Sequence, residues 1–493
     1  MAKITDAEVE LILSSGGDER LDLYGPEKLN LYGCSYRPLK QVSFSSCTAS
    51  SVGEGAFEHV KAMMRNNRDG GVDWRQKFQS LRDRLRAIIG LDDDVDIALG
   101  ASGTDLEIIA TLSCHLKYGA LTNIVMAPDE IGSGSLLAAA GKYFSNKTPL
   151  MDNQSKSIWI EGFEGLDIDV DVIAARDEES GVVIRENELE KILVQRIDAA
   201  VFQKRTVLLH LVCASKTGLV VPSLKTAHKM KKKYGNHVQV VVDSCQSRIS
   251  RDDVNKFLQN KYLLLMTGSK FFSGPPFSGA LFVPKDIAEV FREHSEVPKG
   301  MRSIFTRSEF PFQWVAFDQC LSEQINFGLY YRWEAALYEM TLFYRTDPKK
   351  FAQTAQIFNE AIDYLVEKSG YLKSLTPDIV DEGVDEVSCY LFQTIKTVEI
   401  ISPRINFETS IELHRALAKD DAFGMVQLGQ PVKIKKNMDG DWAPTLRFAI
   451  GSSFFVENSG KVRSVQSKDI VDQLSVAIQK IEHYLNSWER YSV

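Results

Sequence analysis

Two stretches decide the fold: VQVVVDSCQSRIS at residues 238–250 and YLLLMTGSKFFSGPPFSGALFVP at residues 262–284. Each begins with a run rich in Val or Leu and then breaks into small and polar residues, as a buried parallel strand does where it leaves its sheet. The first run ends at Asp243, and the second ends just before Lys270. In an open parallel sheet, ligands bind beyond the carboxyl ends of the strands. The sequence therefore predicts an acid and an amine at one edge of a sheet.

Strand and helix patterns alternate around these two stretches. From about residue 95, apolar runs such as VDIALG (95–100) and TVLLHLVCAS (206–215) alternate with helical patterns such as LKTAHKMKKKYG (224–235). Continuous apolar strands separated by helices indicate a parallel sheet covered on both faces. We expect an α/β fold: a large domain with a mostly parallel sheet sandwiched by helices, and a smaller α+β C-terminal domain.

Changes in this pattern divide the chain into three parts. Residues 1–45 form no clear unit, and we expect an arm packed on the small domain or on a partner subunit. Residues 46–315 carry the alternating pattern of the large domain. Residues 316–493 begin with a helical pattern at 317–345, which predicts one long interdomain helix, and continue with the mixed helices and short strands of the small domain.

Composition excludes several classes of protein. The 493 residues include 58 Lys and Arg against 66 Asp and Glu, a net charge of −8, whereas nucleic-acid binding needs clustered cations. The seven cysteines are scattered without a C-x-x-C pair, so neither a disulfide framework nor a metal site is expected. No apolar run approaches the ~20 residues that cross a bilayer. We expect a soluble, cytoplasmic protein with no nucleic-acid or membrane partner.

A third segment, GASGTDLE at residues 100–107, predicts an anion pocket. A strand ends, Ser102, Gly103 and Thr104 form a turn, and a helix begins. Free N–H groups and the positive end of the helix dipole attract an anion there. Ser and Thr are also ordinary helix caps, so capping alone is the alternative interpretation. The segment is not a Walker phosphate loop, because the G-x-x-x-x-G-K-[ST] pattern is missing.

The acid and the amine also have simpler interpretations when each is taken alone. Asp243 could cap the following helix, and Lys270 could be a surface residue. Together with the anion pocket, they fit a charged aromatic aldehyde cofactor. Its phosphate would lie in the turn, its aldehyde carbon on Lys270 and its ring nitrogen against Asp243.

At these positions the chain resembles the fold type I pyridoxal-phosphate (PLP) enzymes, in the class V aminotransferase and cysteine desulfurase branch. That family's D-x-x-Q is matched by the run from Asp243 to Gln246, and its S-x-H-K by the run from Thr267 to Lys270. A G-P-x-G-x-G-type turn is matched by GPPFSG at residues 274–279. Order and spacing agree over roughly residues 95–285.

The resemblance implies a role for each matched residue. Lys270 would hold PLP as an internal aldimine and then move protons at the substrate Cα. Asp243 would pair with the pyridine N–H, and Gln246 would donate to the phenolic oxygen of the ring. Arg447, in the segment PTLRFAIGSSFFVEN, would bind the substrate carboxylate, with a surface strand arginine as the alternative. The other cofactor-binding residues implied are Ser102, Gly103, Thr104, Ser215, Thr267, Ser269 and Thr306.

The chain also departs from the family pattern. Ile131 lies nearest to the place where the family stacks a His on the ring, and Ser215 stands where desulfurases have Asn. The segment GMVQLGQPVKIKKN at residues 424–437, where a desulfurase carries its nucleophile, has no cysteine. Cys389 lies in an apolar run and is expected in the core. Persulfide chemistry on the protein is therefore disfavoured.

The resemblance implies a PLP-dependent enzyme that forms an external aldimine with an amino acid and labilises a bond at Cα. Transamination is the favoured reaction, and a lyase or a β/γ-elimination or replacement enzyme acting on C–S or C–C bonds is the alternative. A homodimer with its active site at the interface is also implied, with Thr306 reaching the neighbouring subunit's cofactor. A nucleotide-binding α/β protein, in which Lys270 supports a nucleotide phosphate, is the non-enzyme alternative.

Overall fold

The structure is a computed structural model that describes residues 3–68, 71–151, 154–293, 296–375, 393–456 and 467–488. The predicted fold class is confirmed, because helices flank a central and mostly parallel sheet, and a small antiparallel sheet follows toward the C-terminus. The prediction for Cys389 lies outside the described residues. The strands are β1 (Gln41–Phe44), β2 (Val95–Gly100), β3 (Leu121–Met126), β4 (Ile168–Ile173), β5 (Thr206–Cys213), β6 (Val220–Val221), β7 (Val238–Ser244), β8 (Leu263–Thr267), β9 (Gly279–Pro284), β10 (Leu372–Ser374), β11 (Ile395–Ile400), β12 (Met425–Leu428) and β13 (Thr445–Ala449).

The large sheet has the order β2-β9-β8-β7-β5-β3-β4, with β6 paired to β5 outside this path. All neighbours along the path pair in parallel except β9, which runs antiparallel to both β2 and β8. Every residue of β5 and β8 is buried, which agrees with a sheet covered on both faces. The carboxyl ends of β2, β3, β5, β7 and β8 therefore meet at one edge.

The α-helices of the described residues are α1 (Asp6–Leu13), α2 (Glu54–Asn66), α3 (Trp74–Ile89), α4 (Gly103–Tyr118), α5 (Ser135–Ala139), α6 (Glu186–Phe202), α7 (Leu224–Tyr234), α8 (Arg251–Gln259), α9 (Lys285–Glu293), α10 (Val315–Cys320), α11 (Phe327–Phe343), α12 (Pro348–Lys368), α13 (Phe407–Leu417) and α14 (Ser467–Asn486). Several helices begin at a residue whose side chain caps them, such as Ser102 before α4, Ser223 before α7 and Ser250 before α8. The cationic run KMKKKYG ends α7 before Gly235, as a helix C-terminus favours.

The prediction of one long helix over residues 317–345 is wrong. The chain instead forms α10, leaves the helical conformation at Leu321, and starts α11 after Asn326. Asn326 caps the new helix by accepting from the N–H of Leu329 at 3.0 Å. Between the helices, Ser322 accepts from the backbone N–H of Arg307 at 3.1 Å. A cap and a long-range backbone pair therefore override the helical pattern.

The C-terminal part contains the antiparallel sheet β10-β11-β13 together with α12, α13 and α14. Strand β1 of the N-terminal segment (residues 3–45) pairs in parallel with β12, with Gln41 opposite Met425 and Phe44 opposite Leu428. The Phe44 ring packs on the Phe358 ring at 6.2 Å between centroids. The two ends of the chain are thus joined by a sheet and by shared aromatic packing.

Arg332 on α11 connects the N-terminal segment to the turn that precedes β9. Its side chain is completely buried, and burial lowers its pKa to about 10. The guanidinium donates to four backbone carbonyl oxygens, those of Leu13, Ser15, Gly16 and Phe277. Because a buried carbonyl without a donor is costly, one side chain holds two distant segments together.

Replacing this residue should destabilise the protein. We expect Arg332→Ala to lower the free energy of unfolding by about 3 kcal/mol, because it leaves buried carbonyl oxygens without donors. Urea denaturation followed by circular dichroism measures the change. Arg345→Ala, at an exposed position after the same helix, is the control and should change stability by less than about 0.5 kcal/mol. Equal effects from the two substitutions would contradict this prediction.

Candidate active site

The carboxyl edge of the large sheet opens into a cavity of about 460 Å³, a volume in the range of small-molecule sites. Lys270 and Asp243 both line it, so the acid and the amine of the two opening stretches face one space. Ten of the eleven residues that the sequence singled out for the site line this cavity: Ser102, Gly103, Thr104, Ser215, Asp243, Gln246, Thr267, Ser269, Lys270 and Arg447.

The remaining predicted residue, Thr306, does not line the cavity. Its side chain is completely buried, and its hydroxyl donates to Glu309 Oε1 at 3.2 Å within the same chain. Burial raises the pKa of Glu309 to about 8. Thr306 is therefore held inside its own subunit. This conformation does not support the prediction that Thr306 contacts the cofactor of a neighbouring subunit.

The N-terminus of α4 forms one end of the cavity. Ser102 caps this helix: its Oγ donates to Asp105 Oδ2 at 2.6 Å and accepts from the Asp105 N–H at 3.2 Å. Capping of α4, the alternative interpretation of Ser102, is thus present. The N–H groups of Gly103 and Thr104, both described residues, have no acceptor in the structure. These two groups are available to an anion.

Gly103 permits close packing beneath this turn. A Cβ atom at Gly103 would lie 2.2 Å from Cys245 Sγ, so a larger residue could not occupy the position without displacing the Cys245 side chain. On the other side, a Cβ at Gly279 would lie 2.8 Å from the carbonyl carbon of Ser102. Two glycines therefore bring the helix turn, the loop after β7 and the start of β9 into direct contact.

Asp243 and Lys270 enter the cavity from adjacent strands. Asp243 is the penultimate residue of β7 and accepts from the backbone N–H of Cys245 at 3.0 Å through Oδ1. Lys270 follows β8 by three residues and is partly buried. Although both are described residues of one cavity, no ion pair within 4.0 Å joins them. The gap between the two side chains leaves room for a ligand.

The neighbouring polar residues are partly engaged with the protein. Gln246 Nε2 donates to the Cys47 carbonyl at 2.8 Å, and its second hydrogen remains for another acceptor. Thr267 Oγ1 donates to the Cys245 carbonyl at 2.7 Å. Ser278 Oγ, which lines the cavity and is fully buried, has no hydrogen-bond partner in the described structure. A buried hydroxyl without a partner at a cavity wall is available to hydrogen-bond a ligand or a water molecule.

Arg447 reaches the cavity from β13 of the C-terminal part. Only 2% of its surface is exposed, so the alternative of a surface strand arginine is wrong. The guanidinium donates to the Gln430 carbonyl at 2.8 Å, the Lys216 carbonyl at 2.9 Å and Thr48 Oγ1 at 2.9 Å. Neutral acceptors hold the group in place and leave its charge uncompensated.

The segment where the family places a stacking histidine contributes two different side chains. Ile131 is buried and lines the cavity, so it offers an apolar surface at the expected place. Glu130 instead supports the loop after β5: it accepts from Ser215 Oγ at 2.7 Å and from Thr217 Oγ1 at 2.7 Å, and it pairs with Arg176 at 3.1 Å. Ser215 is thereby fixed at the cavity wall.

Sequence reasoning missed five charged residues that line the cavity: Glu19, Arg20, Glu107, Lys156 and Lys216. Burial, together with the negative charge of Asp243, raises the pKa of Glu107 to about 8. Burial, together with the positive charge of Arg447, lowers the pKa of Lys216 to about 8. Glu107 lies three residues after Thr104 on α4, and this helical spacing could have placed it under the pocket. Arg20 lies in a segment with no periodic pattern that could have located it.

Among the residues that the structure describes, no group of three or more His, Cys, Asp and Glu side chains is arranged to hold a metal ion. The helices of the same residues include none with the length and apolar character required to cross a bilayer.

Comparison with known proteins finds similarity in structure. No family model matches the sequence, and no curated protein matches it. Solved structures do match. A NifS-like protein aligns with a TM-score of 0.55 and 14% identity over 91% of this chain and 100% of its own. The cysteine desulfurase CsdA from Escherichia coli gives 0.53 and 12% identity over 89% and 95%. Pyridoxamine-pyruvate aminotransferase from Mesorhizobium loti gives 0.53 and 10% identity over 93% and 95%.

These alignments cover most of both chains at low identity, and they show a common fold. The chain has the fold of the fold type I PLP-dependent enzymes, as found in NifS-like desulfurases and class V aminotransferases.

Proposed function

We propose that this protein is a PLP-dependent enzyme that acts at the Cα of an amino acid, and that it is an aminotransferase. The observation that carries the proposal is that Lys270 and Asp243 enter one cavity from adjacent strands without pairing, beside a helix N-terminus with unpaired N–H groups. The fold supports it, because the solved structures that match include desulfurases and an aminotransferase.

The residues of the cavity fit this cofactor. The N–H groups of Gly103 and Thr104 and the unpaired hydroxyl of Ser278 are donors for a phosphate. The free hydrogen of Gln246 Nε2 is available to the phenolic oxygen of the ring. A carboxylate and an amine that line one cavity without pairing suit the pyridine nitrogen and the aldehyde.

When bound, PLP supplies an electron sink that stabilises negative charge at Cα. The protein supplies the rest. Lys270 Nζ binds the cofactor and then carries the proton that leaves or returns at Cα. Asp243 holds the pyridine nitrogen protonated. The Arg447 guanidinium orients the substrate by its carboxylate, which selects the bond at Cα that is activated. Ile131, which is buried at the cavity wall, would present an apolar surface to the cofactor and help to exclude water.

Glu107 leaves Asp243 as the charged carboxylate of the pair by staying uncharged itself. Both residues line the cavity, and the charge of Asp243 disfavours a second carboxylate nearby. With a pKa of about 8, Glu107 is protonated at neutral pH. Asp243 is then the carboxylate that faces the ring nitrogen, without competition from its neighbour.

A lyase acting on a Cβ or Cγ substituent is the alternative reaction, supported by the match to cysteine desulfurases. A thiol nucleophile of the protein is less well supported. Cys245 lines the cavity, but burial raises its pKa well above the ordinary value, so it stays a thiol rather than a thiolate.

We keep transamination as the proposed reaction, and we propose a homodimer in the cytoplasm, as the resemblance implies. Size-exclusion chromatography with light scattering tests the dimer.

The first prediction of this proposal concerns Lys270. Borohydride treatment of the PLP-supplemented protein should abolish the long-wavelength absorbance and fix the cofactor irreversibly to one peptide, identified by mass spectrometry as the one containing Lys270. Lys270→Ala should lose this labelling. Lys261→Ala, which removes an exposed lysine just before β8, is the control and should retain it. Labelling at another lysine, or a protein that takes up no PLP, would refute the proposed function.

The second prediction concerns the reaction. Incubation with a panel of amino acids should convert the bound cofactor to the pyridoxamine form, followed by absorbance, with the keto acid as product. Asp243→Asn should slow this conversion about 100-fold or more, because the ring nitrogen loses its counter-charge. Asp252→Asn, at an exposed carboxylate on α8, should leave the rate unchanged. Release of a side-chain fragment with the cofactor form unchanged would favour the lyase alternative.

The third prediction concerns pH and stability. The folded-state pKa of Glu107, about 8, lies above its ordinary value of 4.5. Stability from this group is therefore present below pH 4.5 and is lost as pH rises toward 8. Gln does not ionise, so Glu107→Gln removes this loss. From pH 5 to pH 8, the free energy of unfolding of the variant should rise by roughly 1 kcal/mol or more relative to that of the wild type. Urea denaturation at several pH values measures this difference. Glu367→Gln, at an exposed site on α12, should give a difference that does not change with pH.

A further inference from the structure

Arg20 is a charged residue of the cavity that the mechanism above does not use. It belongs to the N-terminal segment, in a short 3₁₀ turn at Glu19–Leu21. Its Nη2 atom lies 3.4 Å from Oγ of Ser102, the residue that caps α4. A cation from a distant part of the chain thus stands at the helix end where the N–H groups of Gly103 and Thr104 are unpaired.

Several contacts hold this side chain in place. Asp18 is 2% exposed and accepts from Arg20 Nε at 2.8 Å and from Nη2 at 2.5 Å. The guanidinium also lies over the Phe277 ring at 4.6 Å and the Phe144 ring at 5.5 Å. Such an arrangement reduces the entropy that the side chain would lose on binding a ligand, because its position is already defined.

The donors of Arg20 are not exhausted by these contacts. A guanidinium has five N–H groups; Asp18 and Ser102 engage those on Nε and Nη2, and the Tyr32 hydroxyl also interacts with the group, which leaves at least one N–H of Nη1. Arg20 and Ser102 both line the cavity, so the group faces the space in front of α4. The hydroxyl of Ser278, next to Phe277 in the turn before β9, is buried at the same wall without a partner.

The charge of the ligand also requires such a residue. A phosphate monoester carries a charge of about −1.5 to −2 at neutral pH, and Arg is suited to pair with it. Of the other cations that line the cavity, Lys270 and Arg447 have other roles in the proposed function, Lys216 donates to the Asp129 carbonyl at 3.0 Å, and Lys156 is exposed. Among the described residues, Arg20 is the cation whose side chain contacts Ser102.

We propose that Arg20 binds the phosphate group of the cofactor beside the first turn of α4, so that the N-terminal segment completes the phosphate site. This inference rests on the proposed function, because it requires PLP in the cavity. The interaction is a charge-assisted hydrogen bond, and its loss should weaken binding of the phosphate but not binding of the ring.

The test compares two ligands that differ only in the phosphate, PLP and pyridoxal. Cofactor-free wild type, Arg20→Ala and Arg20→Gln are titrated with each ligand, and binding is followed by absorbance. We expect the Kd for PLP to rise about 10- to 100-fold in both variants, and the Kd for pyridoxal to change by less than about 2-fold. Inorganic phosphate should compete with PLP less effectively in the variants than in the wild type.

Arg37→Ala is the matched control. Arg37 belongs to the same N-terminal segment, but its Nη2 pairs with Glu10 at 2.5 Å and it does not line the cavity. This variant should bind PLP and pyridoxal as the wild type does. Circular dichroism and thermal unfolding establish that each variant is folded, and Arg20→Gln keeps the packing on Phe277 if Arg20→Ala does not fold.

Each outcome bears on the proposal. An unchanged Kd for PLP in folded Arg20 variants, or equal weakening of PLP and pyridoxal, would overturn it, since the residue would then act by packing alone. A wild type that binds neither ligand would refute the proposed function itself. A wild type that binds both, with variants that lose only the preference for PLP, would establish the phosphate contact.

Discussion

The parallel pairing of β7 with β8 is the constraint on which the cavity depends. Asp243 lies opposite Leu265, and from that register the chain needs only a few residues to reach Lys270. A shift of one residue in this register would turn the Asp243 side chain to the other face of the sheet. Strand β9 then returns antiparallel beside β8, and Gly279 brings this return against Ser102. One set of backbone hydrogen bonds therefore fixes the acid, the amine and the anion pocket together.

Two acids of the cavity add little free negative charge to it: Glu107 is protonated at neutral pH, and Glu130 is paired with Arg176. Arg447, by contrast, is held by the neutral carbonyl oxygens of Gln430 and Lys216, so its positive charge is not compensated. The resulting field favours a ligand with several negative charges. A phosphorylated cofactor together with an amino-acid carboxylate has this property.

How far the sequence could predict this site depends on the distance over which each residue is positioned. Asp243 and Lys270 could be placed because an apolar run and the residue that ends it are neighbours in the chain. The break between α10 and α11 could not, because it depends on a backbone bond from Arg307 to Ser322. Arg20 was missed for the same reason, since its partners at the cavity lie in distant parts of the chain. Local pattern predicts elements and their ends, whereas long-range contacts decide which other side chains join them.

The cavity is closed by segments that are remote in sequence, and this links ligand binding to the stability of the whole chain. The Cys47 carbonyl accepts from Gln246, and Thr48 Oγ1 accepts from Arg447, so one short loop contacts both the large sheet and β13. Arg332 fixes the N-terminal segment to the turn before β9 through backbone carbonyls. A ligand that contacts all these parts binds only the folded arrangement, and such a ligand stabilises the protein in proportion to RT ln(1 + [L]/Kd). The contacts that shape the site therefore couple ligand binding to the free energy of unfolding of the chain.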